Sequence, residues 1–182
     1  LKYHPMSHIK VYLSIGTNLG DRKKNIDTAM TLISHIPGVR VLDISDIMET
    51  EPWGFESYDN FLNCAVSIDY NPTEAKRKVC NTEQKLSDNV CVEEAIYLLN
   101  ALKNIEWVMG RRETVKYNSS GKRIYHSRII DIDILLYGTK VIRTEKITVP
   151  HPSMVSRDFV MIPLRQIADS KIMSAFPEIF GK

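Results

Sequence analysis

Apolar and polar residues alternate from Ile9 to Ile15, with Ile9, Val11, Leu13 and Ile15 set against Lys10, Tyr12 and Ser14. A period of two predicts a strand with one buried face. Ile26, Ala29, Met30, Ile33 and Ile36 then recur at helical spacing and run into Pro37-Gly38, which predicts a helix stopped there. Val39–Glu49 reads as a strand with an irregularity, and residues 51–55 as a loop carrying Trp53 and Phe55. Leu62, Cys64, Val66, Ile68 and Tyr70 alternate again, leaving Phe61, Asn63 and Ala65 on the opposite face of a further strand. A second helical stripe, Ala95, Leu98, Leu99, Leu102, Ile105 and Met109, closes at Gly110. From Ile129 to Tyr137 a β-prone apolar run is interrupted only by Asp131 and Asp133. Residues 73–92 read as an inserted, helix-containing excursion. The stretch 112–127 reads as a long polar loop, and the tail beyond Val149 as a short helix near 159–167 followed by an irregular end.

The order β-α-β-β-α-β predicts the α+β class, with a ferredoxin-like antiparallel sheet, helices packed on one face, and a C-terminal extension. The second sheet face is then free to form a site. A chain of 182 residues is the size of one domain, so residues 1–182 are expected to share one core. The chain opens at Leu1 and reaches Met6-Ser7 later; residues 1–8 are set aside as disordered or foreign to the natural chain.

Composition narrows this picture without redirecting it. Hydrophobic residues at 43% and charged residues at 25% are the balance of a globular protein, unlike a disordered tail. A formal charge of +2 gives no reason to expect a nucleic-acid partner. Cys64, Cys80 and Cys91 have no Cys-x-x-Cys spacing, so reduced thiols in a cytoplasmic protein are expected. No run approaches the ~20 apolar residues of a membrane span.

The candidate chemistry sits on the last strand. Asp131 and Asp133 are two apart, so both carboxylates project from one face while Ile130, Ile132 and Ile134 point the other way. Two magnesium ions bridging phosphate oxygens would relieve their repulsion; the alternative is a sheet face with two solvated acids. Arg128 stands three residues earlier, where a guanidinium could reach a metal-bound triphosphate. His151, between Pro150 and Pro152, has a restricted backbone suited to a phosphate or ribose contact. The segment Gly16–Gly20 lacks the Gly-Lys-Ser/Thr ending of a Walker-type loop. Trp53, Phe61, Tyr125 and Phe159 could stack on a flat heterocycle, with Asn63 reading its edge, or could be ordinary core.

In combination these segments resemble the 6-hydroxymethyl-7,8-dihydropterin pyrophosphokinase family from about Val11 to Leu164. The resemblance rests on Leu13-Ser14-Ile15-Gly16-Thr17-Asn18-Leu19-Gly20-Asp21-Arg22, on Glu49-Thr50-Glu51-Pro52-Trp53-Gly54 and on Phe61-Leu62-Asn63. It continues through Ile105-Glu106, Gly110-Arg111, the run Arg128 to Gly138, Val149-Pro150-His151-Pro152 and Arg157-Asp158-Phe159-Val160. It implies an ATP-dependent enzyme that transfers pyrophosphate to the pterin hydroxymethyl group and releases AMP, in folate biosynthesis. Asp131 and Asp133 would hold two magnesium ions, and ATP would be the co-substrate. Phe61 and Phe159 would sandwich the pterin, with Asn63, Thr50, Trp53 and Tyr125 completing its pocket. Arg111, Arg128, His151 and Arg157 would contact ATP, the first two as catalytic cations, with Glu106 near the nucleotide and Ile134 and Thr148 at the adenosine. No obligate protein partner is implied.

The sequence departs from the family pattern at Glu51 and Ser127, where proline is common, and at Tyr125, where tryptophan is frequent. The stretch 112–127 is longer than usual and is expected to act as a lid. The chief rival is a non-catalytic ferredoxin-like binding module; its RNA-recognition versions carry an aromatic Gly-Phe strand motif and usually a clearer basic face, neither of which this chain has. An Asp-x-Asp nucleotide-sugar enzyme would leave Phe61, Asn63 and Phe159 unexplained together.

Overall fold

The computed structural model describes residues 8–55, 57–77, 90–112, 116–121 and 123–181. In chain order the elements are β1 (Ile9–Thr17), α1 (Arg22–Ser34), β2 (Val39–Ile44), β3 (Met48–Thr50), β4 (Phe61–Tyr70), α2 (Pro72–Arg77) and α3 (Val90–Val108). They continue with β5 (Lys116–Tyr117), β6 (Arg123–Ile124), β7 (Asp131–Tyr137), β8 (Ile142–Arg143), β9 (Thr148–Val149), α4 (Asp158–Ile167), α5 (Ser170–Ala175) and α6 (Pro177–Phe180). The main sheet runs β2-β4-β1-β7, with β3 also on β4, and every pairing is antiparallel. β4 and β1 therefore lie inside the sheet, with β7 at one edge and β2 and β3 at the other.

The strand expected over Val39–Glu49 is two strands. Between them Ser45 takes over part of the ladder: its backbone N–H donates to the Ala65 carbonyl at 2.9 Å, and its hydroxyl accepts from the Ala65 N–H at 2.8 Å. A side chain standing in for a backbone partner lets the strand bend without orphaning a buried amide.

Period-two alternation divides the core between two faces. On one, Val11, Leu13 and Ile15 of β1 pack with Val66 and Ile68 of β4, Ile132 and Ile134 of β7, and the buried sides of α1 and α3. Asp21 caps α1 by accepting from the Lys24 N–H at 3.0 Å, an N-cap worth about 1 kcal/mol. The opposite face was expected to be free, and half of it is covered. Tyr12, Ala65, Leu135 and Leu136 form a second core with Met154, Val160, Met161 and Leu164, and with Ile172, Phe176 and Ile179. The tail read as irregular is thus the short helices α5 and α6. Asp169 caps α5 through the Ile172 N–H at 2.9 Å, and its other carboxylate oxygen accepts from Lys10 Nζ at 3.0 Å and the Tyr12 hydroxyl at 3.2 Å. Helices this short have no amphipathic period to read; burying Ile172, Phe176 and Ile179 supplies what propensity does not.

A register shift between Tyr12 and Leu13 puts both Leu135 and Leu136 against this second core. It leaves Asp131 and Asp133 on the uncovered end of the same face. The stretch 112–127 contains the β5–β6 hairpin, whose turn closes with the Gly121 N–H on the Asn118 carbonyl at 2.9 Å. Of the expected excursion at 73–92, residues 78–89 lie outside the described residues. Among the described residues no helix is long and apolar enough to cross a membrane.

Candidate active site

The uncovered end of the sheet is organised in a row. Gly16 at the end of β1 faces Asn63 of β4 on one side and Asp131 of β7 on the other, and Ser14 lies beside Asp133. With neighbouring strands ~4.8 Å apart, a polar amide and a carboxylate sit two strands apart with only a glycine between them. A Cβ at Gly16 would come within 3.0 Å of Asn63 Oδ1, so the missing side chain keeps the floor open. Above this floor is a cleft of about 220 Å³.

The acidic end is held by cations. Asp131 accepts from Arg111 on one oxygen and from Arg128 Nη1 on the other, the latter at 2.8 Å. Burial alone would raise its pKa, but Arg128, Arg111 and Lys103 outweigh it and hold the group at about 2. Arg128 is placed by the β1–α1 loop: Asn18 Oδ1 accepts from the Arg128 N–H at 2.7 Å, while Asn18 Nδ2 donates to Ser127 Oγ at 2.9 Å. Behind the strand Glu106, 4% exposed, accepts from the Ile132 N–H at 2.6 Å, from Lys103 Nζ at 2.8 Å and from Arg111 at 3.0 Å. Burial still pushes the Glu106 pKa up, against the pull of Lys103.

The other end is aromatic. Asn63 Nδ2 donates to Thr50 Oγ1 at 2.8 Å, and Phe61 meets Phe55 edge-on with centroids 6.1 Å apart. Trp53 lies 5.8 Å from Tyr125 and 6.5 Å from Phe159. Arg157 sits over the Trp53 ring at 5.0 Å, within cation–π range, and donates to the Tyr125 hydroxyl at 3.1 Å. His151 is fixed by its N–H on the Leu135 carbonyl at 2.9 Å, and its Nδ1 accepts from the Ser153 N–H at 3.3 Å. Burial, with Arg157 and Lys103, lowers its pKa despite Asp133 and Asp131, so at neutral pH the ring is uncharged and Nε2 carries the proton.

The structure gathers Thr50, Trp53, Phe61, Asn63, Tyr125, Arg128, Asp131, Asp133, His151, Arg157 and Phe159 around one cleft. Arg111 and Glu106 stand behind Asp131 rather than in the lining. Ile134 packs in the main core and Thr148 lies on β9; neither lines the cleft. Sequence reading passed over Ser14, Gly16, Phe55, Ser153 and above all Lys103. The signal for Lys103 was its position three residues before Glu106 on one helix face.

Asp131 and Asp133 offer hard oxygen donors that face the cleft, which suits magnesium. Among the described residues no group of three or more His, Cys, Asp or Glu is arranged to hold a metal ion. A two-carboxylate site completed by substrate phosphate and water is the form magnesium takes at nucleotide sites, so these residues fit that ion.

The family model for 7,8-dihydro-6-hydroxymethylpterin-pyrophosphokinase matches residues 12–94 and 89–169. The 2-amino-4-hydroxy-6-hydroxymethyldihydropteridine pyrophosphokinase of Porphyromonas gingivalis is 36% identical over 159 residues, covering 87% of this chain and 90% of the relative. That of Aquifex aeolicus is 35% identical, with 89% and 82% covered. The folic acid synthesis protein fol1 of Schizosaccharomyces pombe is 35% identical over 163 residues, or 90% of this chain, which spans 18% of that longer protein. A solved HPPK-DHPS in complex with substrates superposes with a TM-score of 0.54 at 15% identity, over 94% of this chain and 43% of the other; at that identity the likeness concerns the fold.

Proposed function

Because the chain belongs to the 7,8-dihydro-6-hydroxymethylpterin-pyrophosphokinase family, we propose that the cleft between Asp131 and Asn63 is where ATP and the pterin meet. The enzyme transfers pyrophosphate from ATP to the hydroxymethyl group of 6-hydroxymethyl-7,8-dihydropterin, releasing AMP, in folate biosynthesis. The observation that carries the site assignment is the row Asn63, Gly16, Asp131 across three adjacent strands. It sets a reader of a heterocycle edge beside an anion- and metal-binding group with no side chain between.

In this reading Phe61 and Phe159 flank the pterin ring, Asn63 and Thr50 pair with its edge, and Trp53 and Tyr125 close the pocket. Arg128, His151 and Arg157 hold the ATP phosphates and ribose from the cleft, with Arg111 acting from behind Asp131. The adenosine extends past the cleft lining along the edge of β7 toward Glu106, Ile134 and Thr148. Asp131 and Asp133 would hold two magnesium ions, whose chemistry when bound would be to neutralise the triphosphate and draw charge from the β-phosphorus. The hydroxymethyl oxygen attacks the β-phosphorus, and the bond from that phosphorus to the α–β bridging oxygen breaks. AMP leaves with that oxygen, and the hydroxyl proton passes to solvent. Arg111 and Arg128 meet the charge that develops on the leaving group, and positioning supplies most of the acceleration. We read the sheet as ferredoxin-like, on the strength of the order β1-α1-β2/β3-β4-α3-β7, with β2 and β3 as one interrupted strand, and of its all-antiparallel pairing, with α4–α6 as a C-terminal extension. We also place the enzyme in the cytoplasm, as one domain with small-molecule substrates and no obligate protein partner or nucleic acid.

The test is an assay with magnesium, ATP and the pterin that resolves AMP from ADP, run beside Asp131→Ala, Asp133→Ala. Pterin-dependent AMP formation that disappears in the folded double variant is the expected result. Undiminished AMP formation by that variant would remove the two aspartates from the reaction.

A further inference from the structure

The cation that sequence reading passed over occupies the carboxylate a metal would need. Lys103 Nζ lies 3.3 Å from Asp133 Oδ1, 2.8 Å from Glu106 Oε1 and 2.9 Å from the Ile132 carbonyl. Asp131 is engaged by Arg111 and Arg128. Glu106, Asp131 and Asp133 are thereby matched by Lys103, Arg111 and Arg128, so the acidic group is neutral without any added ion.

The cations differ in how readily they can let go. Arg128 is tied at its backbone by Asn18, and Arg111, with a side chain 15% exposed, is wedged between Glu106 and Asp131. Lys103 is 42% exposed and carries a compact charge on a flexible four-carbon stem. It can swing from Asp133 to another anion without moving α3.

We propose that Lys103 is an internal counter-ion that competes with a divalent cation for Asp133 until the ATP triphosphate takes over its ammonium group. A divalent ion arriving alone at Asp133 meets a like charge already seated there. One arriving with the triphosphate does not, because the phosphate oxygens accept the ammonium group and add ligands of their own. Metal and nucleotide therefore strengthen each other's binding, and the coupling is reciprocal. Lys103 thus acts on the metal through Asp133 before the nucleotide arrives and pairs with the triphosphate afterwards. The inference rests on the reading of Asp131 and Asp133 as the metal pair.

Electron paramagnetic resonance titration with Mn²⁺ tests it, on wild type, Lys103→Met, Lys103→Gln, Lys103→Arg and Asp133→Asn, each with and without α,β-methylene-ATP. Without nucleotide, Lys103→Met and Lys103→Gln should bind Mn²⁺ about tenfold more tightly than wild type. Lys103→Arg, which keeps the charge, should stay close to wild type. With the analogue the difference should close. Structural damage would weaken binding, the opposite sign, and the glutamine variant keeps the polar contact to Glu106 if methionine disturbs folding. Equal or weaker Mn²⁺ binding by both uncharged variants, where Asp133→Asn abolishes it, would overturn the counter-ion role alone. Mn²⁺ binding untouched by Asp133→Asn in the presence of the analogue would overturn the metal reading, and the counter-ion role with it.

Discussion

Glu106→Gln isolates what the buried carboxylate behind β7 contributes. The substitution keeps shape, and the amide oxygen can still accept from the Ile132 N–H that Glu106 now holds at 2.6 Å. That oxygen also keeps Lys103 at 2.8 Å, so the amide NH₂ must face Arg111, now 3.0 Å from the other carboxylate oxygen, donor against donor. A hydrogen bond to a charged group is worth about 1.5–3 kcal/mol, and the Arg111 pair, well shielded, should approach that range. The Lys103 pair is partly solvated and adds little. Against these gains, burial of the charge works the other way, as the raised Glu106 pKa shows. The net expectation is a loss of about 2 kcal/mol, which for a domain of this size lowers Tm by about 4–8 °C. Thermal melts followed by circular dichroism measure it, and a double-mutant cycle with Arg111→Met should show a coupling of about 1 kcal/mol or more. An unchanged or higher Tm in Glu106→Gln would mean that desolvation cancels the three contacts, and the carboxylate would have no structural role at the site.

Acid should weaken the fold through Asp131. Its folded pKa of about 2 lies below the ordinary 3.8, so its contribution is present above about pH 4 and lost as pH falls toward 2. That amounts to about 2 kcal/mol, and Asp131→Asn should flatten stability against pH in that window. Among the described residues the buried Tyr137 hydroxyl has no hydrogen-bond partner, so Tyr137→Phe should leave denaturant stability unchanged or raise it by about 1 kcal/mol; a clear loss would reveal a partner. Burial pushes the Cys64 thiol up to about 12. Peptide mapping after brief alkylation should therefore find Cys64 unmodified in the native protein and modified once it unfolds. Tyr125→Phe removes the hydroxyl that accepts from Arg157 at 3.1 Å and should raise KM for ATP several-fold with a smaller change in kcat; an unchanged KM would place that contact outside nucleotide binding.

Much of the site was readable because its residues lie on regular strands. The period of two put Asp131 and Asp133 on one face and Phe61 with Asn63 on another strand's matching face, before any pairing was known. What the chain could not show by period was which strands are neighbours. That β1 separates β4 from β7, so that Gly16 stands between Asn63 and Asp131, is a matter of long-range pairing. The glycine gave no local hint of a role in the cleft floor.

Local pattern determined the main strands, the two long helices and the identity of the charged and aromatic candidates, since hydrophobic period and turn residues act over a few positions. Tertiary structure decided the rest. A bulge at Tyr12/Leu13 and three short C-terminal helices cover one end of a sheet face and leave the other open. Their energy comes from burial against distant residues rather than from propensity. The partners of each charge were decided in the same way: Lys103 meets Asp133 across thirty residues of sequence, and an electrostatic contact between α3 and β7 exists only once the core has brought them together.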